Sequence, residues 1–233
     1  MDTSKSLSGQ IREKMKSENK RFWAGDNISE YLHNNEYLKS QLIEEATEAF
    51  EQVLDTLLID RENDPNSKGT AKRLAKMYFN EIMSGRYDPA PDATSFPNDE
   101  NDRYDGMLVV RSELKSMCSH HHQTVSGVAY IGILAAQKLI GLSKYTRIAQ
   151  WCARRGTLQE ALCNDIAREI QKATESENVG VYLRMTHGCC ENRGIMAHDS
   201  STTTTVLKGV FNKDAGTKKE FFDTLSLQES NKR

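Results

Sequence analysis

Cys118-Ser119-His120-His121-His122 and, about seventy residues further on, His187-Gly188-Cys189-Cys190 restrict this chain more than any other feature. Four of its six histidines and three of its five cysteines fall in these two short segments. Thiolate and imidazole together are the ligands of an ion such as Zn²⁺. Segments this far apart do not make a small zinc finger, so tertiary folding has to close the site.

The chain has 233 residues, enough for one large domain or for one domain with a helical appendage. A net charge of −2 gives no reason to expect nucleic acid or an anionic membrane as partner. No apolar run is long enough to span a bilayer, and the first twenty residues lack the apolar centre of a secretory signal. An odd number of cysteines, two of them adjacent, does not look like a disulfide framework. A reducing, cytoplasmic setting with thiols free to bind metal is the expectation.

Residues 1–35 are polar and without clear periodicity, which predicts a flexible N-terminal segment. Residues 36–95 read as a helical region. Leu38, Leu42, Ala46, Phe50, Val53, Leu54 and Leu57 recur at helical spacing, and a second helix is predicted over Thr70–Ser84, stopped by Gly85. Three of the four prolines lie in residues 88–106, which makes that stretch the best boundary. Residues 96–233 then read as one α+β domain. Strands are predicted at Met107–Val110, Val125–Leu134, Val179–Thr186 and Thr202–Phe211. Helices are predicted at Lys144–Arg155, capped by Ser143, at Leu158–Ala173, opened by Thr157, and at Lys218–Leu225. Two strands, two helices and two strands imply a sheet covered on one face.

Cys118 and His121 can meet one ion only if the chain turns between them, whereas His187 and Cys189 continue the face of Val181, Leu183 and Met185. Cys118, His121 and Cys189 make three ligands and leave a fourth position for water, the pattern of a catalytic zinc. A structural site closed by Cys190 or another histidine is the alternative, and His122 competes as a ligand by spacing. His120 and His187 remain beside the metal as groups able to exchange protons near neutral pH. Lys144 and Arg147 place cations in a helix's first turn, against its dipole, where an anion such as phosphate would compensate them. Thr157 and Glu160 have capping-box spacing. Arg154 and Arg155 read as solvated helix-end charges, and Thr202–Thr205 as strand propensity.

GTAKRLAKMYFNEIMSGRYD, SMCSHHH, GLSKYTRI, ARRGTLQEAL, THGCCENRG and SSTTTTVLKGVF together resemble the GTP cyclohydrolase I family, over roughly residues 37–226. The resemblance implies the T-fold, or tunnelling fold: a four-stranded antiparallel sheet with two helices, here preceded by the N-terminal helical region. It implies a homodecamer with active sites at subunit interfaces. Zinc falls to Cys118, His121 and Cys189, and catalysis to His120 and His187. The guanine-anchoring carboxylate becomes Glu160, with Gln159 beside it; triphosphate and ribose contacts become Ser143, Lys144, Arg147 and Arg193. Arg73 matches an arginine presented to a neighbouring subunit's site. The implied reaction is attack of zinc-activated water on C8 of GTP, loss of formate, and closure to 7,8-dihydroneopterin triphosphate. That is the first step towards tetrahydrofolate, pterins or 7-deazaguanines. Ser119, His122, Gly156, Thr157, Ala161 and Ala71 depart from the family's usual residues. A non-catalytic T-fold assembly protein with structural zinc is the competing function. Cys-Cys-His ligation speaks against two other T-fold relatives, a pterin synthase and a nitrile reductase.

Overall fold

A computed structural model describes residues 6–32, 36–99 and 103–230. The chain divides into two compact units, Met1–Pro89 and Ala90–Arg233, within the proline-rich stretch marked as the boundary.

In the first unit, helix α1 (Leu7–Ser17) occupies the segment read as polar and without periodicity; residues 1–5 and 33–35 of that segment lie outside the described residues. The overlooked signal is sparse: Leu7, Ile11 and Met15 follow one another at four-residue spacing among charges. Ser6 caps the helix by accepting the Gly9 N–H, and the Glu45 carboxylate accepts the N–H of Leu7 at 2.5 Å. Helix α2 (Glu36–Thr56) follows its predicted span. Its Leu42 packs with Leu7, Ile11, Leu32 and Phe79. Helix α3 (Thr70–Met77) does not run on to Ser84. It widens into a π-helical turn over Tyr78–Ile82, and α4 (Ser84–Tyr87) contains the glycine expected to stop it. The wider turn lets Tyr78 stack on Phe50 while Phe79 stacks on Tyr87, with centroids 5.5 and 4.4 Å apart.

The second unit opens with β1 (Ser95–Pro97), β2 (Met107–Met117), β3 (Thr124–Leu134) and β4 (Lys138–Ile140). Helices α5 (Leu142–Ala153) and α6 (Gln159–Thr174) follow, then β5 (Val179–His187), α7 (Gly188–Glu191), β6 (Thr202–Leu207), α8 (Val210–Lys213) and α9 (Ala215–Ser230). Four strands form an antiparallel sheet in the order β2-β3-β5-β6, and β1 pairs with β4 in a smaller one. This is the α+β T-fold arrangement. Strand β2 is much longer than the predicted Met107–Val110 because Arg111, Glu113 and Lys115 alternate with inward residues rather than ending it. The last strand stops at Leu207, short of the expected Phe211, and the terminal helix is longer than the hydrophobic spacing implied.

One face of the sheet carries Leu114, Ala129, Ile131, Val181 and Leu183 against Ile148 and Cys152 of α5 and Leu162, Ile166 and Ile170 of α6. Leu158, the first residue of the helix predicted over Leu158–Ala173, does not join them and is 38% exposed. The other face is covered too, contrary to expectation. Tyr130, Val128 and Tyr182 there pack against Phe211, Phe221 and Leu225. Gly132 and Gly180 are cross-strand partners on this face, and the absence of side chains leaves a hollow. Phe211 and Phe221 fill it, edge to face at 5.4 Å; a Cβ on Gly132 would lie 2.7 Å from the Phe221 ring. Among the described residues no helix is long and apolar enough to cross a membrane.

Phe221 is fully buried, so Phe221→Ala should destabilise the protein by about 3–5 kcal/mol. A chemical-unfolding midpoint unchanged from wild type would show that α9 does not contribute to the core.

Candidate metal centre

Cys118 stands at the end of β2, where the strand gives way to a tight connection. The Cys118 N–H donates to the Gln123 carbonyl and the His122 N–H donates back to the Cys118 carbonyl, both at 2.9 Å. His122 takes a left-handed conformation, φ +51°, to close this loop. Cys118 and His121 therefore lie on one turn, the condition their spacing imposes. On the other side, Val125 of β3 pairs with His187 of β5, which brings the second cluster to the same end of the sheet. Cys189 does not extend the strand face as parity suggested. The chain turns at Gly188 into α7, and that turn carries Cys189 to the cluster.

The result is a group whose ligand atoms, from Cys118, His121 and Cys189, all lie within 4.8 Å of one another. Cys118 is buried, Cys189 half-buried and His121 exposed. Two sulfurs and one imidazole, drawn from elements that fix them independently, fit a tetrahedral divalent ion. Burial above all, then the adjacent Cys118 sulfur and hydrogen bonds with Cys190 and Cys118, pushes the Cys189 thiol up to about 11. A cation reverses that balance, since the ligand is the thiolate.

His187 is held from behind. Its Nε2 lies 2.7 Å from Oε1 of Gln159, the first residue of α6. Gln159 is buried, and its Nε2 donates to the Thr202 carbonyl at 3.0 Å and to Thr204 Oγ1 at 3.2 Å. These threonines, expected to supply strand propensity alone, thus orient a side chain of the site. Their helix-facing parity with Leu183 and Met185 was the available signal. Burial lowers the pKa of His187 from the ordinary imidazole value, and the Glu160 charge opposes this. Glu160 is exposed beside it, and the expected capping box does not form: α6 has no side-chain cap.

The remaining predicted residues are dispersed. His120 lies in the metal loop, its ring edge-on to His121 with centroids 6.2 Å apart. Arg193 is exposed just after α7, and the loop behind it is tied down where the Ala197 N–H donates to the Cys190 carbonyl at 2.9 Å. Ser143, Lys144 and Arg147 lie in the first turns of α5, whose cap is Gly141 and not Ser143, with no acidic residue in the first turn. The α5 helix lies along β2: Ser112 Oγ and Thr146 Oγ1 are 2.8 Å apart, and Ser116 Oγ donates to the Ala153 carbonyl at 2.7 Å. Its C-terminal end therefore faces the metal cluster and its N-terminal end faces away. Arg73 belongs to the first unit, where its guanidinium donates to the carbonyls of Asn66 and Lys68 and to Thr70 Oγ1. Arg155, read as solvated, is buried: its guanidinium lies 3.7 Å over the Trp151 ring and pairs with Asp165.

The family described as GTP cyclohydrolase I matches residues 46–226. This chain belongs to the GTP cyclohydrolase I family. It is similar to the GTP cyclohydrolase 1 of Flavobacterium johnsoniae, 39% identical over 188 residues that cover 79% of this chain and 82% of that protein. The GTP cyclohydrolase 1 of Aeromonas salmonicida is also 39% identical, over 175 residues, or 74% of this chain and 79% of that one. The Aliivibrio salmonicida protein of the same name is 35% identical over 192 residues, or 82% and 87%. The segments holding Cys118, His121, His187 and Cys189 all fall inside the span that defines the family.

An ion held by Cys189 has to displace the thiol proton, so affinity for a divalent ion should fall about tenfold for each pH unit lowered, per proton displaced. Competition titrations against a chromogenic chelator at several pH values measure this. A flat profile would show that Cys189 does not ligate the ion.

Proposed function

We propose that this protein is a zinc-dependent GTP cyclohydrolase that opens the guanine imidazole ring at C8, releases formate and yields 7,8-dihydroneopterin triphosphate. Family membership supports GTP as the substrate. The observation that carries the catalytic reading is the donor set itself. Cys118, His121 and Cys189 form a group of three among the described residues, while the Cys190 sulfur, 4.0 Å from that of Cys189, is not part of it. Three protein ligands leave a tetrahedral ion one position for chemistry; a closed structural zinc needs a fourth.

When bound, zinc supplies Lewis acidity and acidifies a water for attack on C8. The chain's own residues do the rest. Glu160, a carboxylate within electrostatic reach of His187, accepts hydrogen bonds from guanine N1–H and the 2-amino group. Adenine lacks those donors and would leave the carboxylate unpaired. His187 and His120 carry protons to and from the opening ring, His187 through a ring braced by Gln159. Ser143, Lys144, Arg147 and Arg193 hold the triphosphate and ribose, which positions the base. The free thiols support a reducing, cytoplasmic setting.

A single chain is too long for one nucleotide to touch all these groups. Thr146 sits opposite Ser112, six strand residues before Cys118, roughly 20 Å at strand rise. Lys144 and Arg147 of one chain are therefore assigned to the metal centre of another. This supports an active site shared between copies, with the homodecamer as the assembly. Arg73, pre-oriented by its own loop, is assigned likewise to a neighbouring copy's nucleotide.

Incubation of the zinc-loaded protein with GTP should release formate and develop the absorbance and fluorescence of a pterin. His187→Ala should abolish turnover while retaining zinc, and loss of the metal instead would make His187 a ligand. For the shared site, chains carrying Cys189→Ser and chains carrying Lys144→Ala with Arg147→Ala should each be inactive alone. Co-expression should restore part of the turnover in mixed assemblies, and absence of restoration would return all the groups to one chain.

A further inference from the structure

Three hydrogen bonds commit the side chain of Gln159 inside the protein. Its Nε2 faces the Thr202 carbonyl oxygen at 3.0 Å and Thr204 Oγ1 at 3.2 Å. The opposite amide orientation would press one oxygen acceptor against another, because a carbonyl has no proton to offer. The network therefore assigns nitrogen to the β6 side and oxygen to the His187 side. An amide oxygen can only accept, so His187 Nε2, 2.7 Å away, has to bring the hydrogen. In the neutral ring that leaves Nδ1 with the lone pair.

We propose that Gln159 is a positioning residue: anchored on Thr202 and Thr204, it holds His187 as the Nε2–H tautomer, so that proton transfer at this histidine runs through Nδ1. The hold comes from outside the metal centre, on an edge strand that supplies no ligand. It is rigid because Gln159 is buried at the start of α6 and Thr204 is fixed by pairing with Leu183. An amide engaged at both ends is also poorly placed to read a purine edge. Gln159 thus separates from its neighbour Glu160, whose carboxylate is exposed. The chemistry resembles a carboxylate or carbonyl fixing the tautomer of a catalytic or metal-bound imidazole, with a neutral amide in that place. A neutral partner sets the direction of the ring without adding charge to a centre that already holds two sulfurs.

The kinetic part rests on the assignment of His187 as a proton carrier, and the test separates the two. Protein labelled with ¹⁵N at histidine gives ring signals, and the pair lost in His187→Gln identifies His187. Wild type should show a protonated Nε2 and a bare Nδ1, and Gln159→Ala a mixture of tautomers at unchanged metal content. Turnover should divide in the same sense: kcat for GTP falls about tenfold or more while KM changes by less than about threefold. Thr204→Val, which removes one of the two acceptors and keeps Gln159, should give a smaller loss of the same kind. An unchanged tautomer in Gln159→Ala overturns the proposal. So does a raised KM with kcat held, which would make Gln159 a guanine contact. A shifted tautomer with kcat unchanged leaves the tautomer lock standing and instead removes His187 from proton transfer.

Discussion

The antiparallel register of β3 against β5 is the constraint on which the rest of the molecule depends. Val125 opposite His187 sets every later pair, from Gly127 with Met185 to Ile133 with Val179. A shift of one residue would turn Val181, Leu183 and Met185 out of the core. The same shift would carry His187 to the opposite face of the sheet, away from Gln159. Packing and chemistry therefore cannot be adjusted separately here. The hydrophobic alternation that buries the core is also what aims the histidine, and the hairpin between β2 and β3 delivers Cys118 and His121 to the same end.

Around that register the polar groups of the site are held by different means according to what they have to do. Cys118 is fixed by backbone hydrogen bonds across a closed turn. Cys189 rides on a four-residue helix whose first residue, Gly188, packs against the Thr124 carbonyl. His187 is fixed by a side-chain chain of bonds reaching β6. Glu160, Arg193 and Arg147, the groups assigned to a ligand that comes and goes, stay exposed. In the proposed reading, Cys118, Cys189 and His187 are the groups held by the fold, while the residues assigned to the nucleotide stay open to solvent.

Much of this was legible in the residues. Strand alternation in residues 179–186 and the helical spacing of Leu162, Ile166 and Ile170 reflect burial directly, so the central elements and the helix-covered face could be read. Clustering of scarce residue types pointed to the candidate metal donors on a different ground, because Cys and His have few other reasons to gather. What could not be read depends on contacts distant in sequence. Arg155 looks like a solvated helix end until Trp151 and Asp165 close over it. Thr157 and Glu160 have capping-box spacing, yet the helix begins without that bond. The second covered face was hidden because its partner, α9, mixes apolar and charged residues with little separation. Thr204 is silent until Gln159 reaches it.

The hollow at Gly132 and Gly180 shapes how this sequence can change over generations. Its emptiness is matched to two aromatic rings that come from the far end of the chain. A methyl group at Gly132 arriving first meets the Phe221 ring and is rejected, whereas a smaller residue at position 221 arriving first merely loosens the fold. Only one order of events is open, and it passes through a weakened intermediate. The glycine pair and the aromatic pair should therefore be inherited as a block, each glycine kept in place by a ring encoded about thirty (Phe211 for Gly180) or ninety (Phe221 for Gly132) positions away.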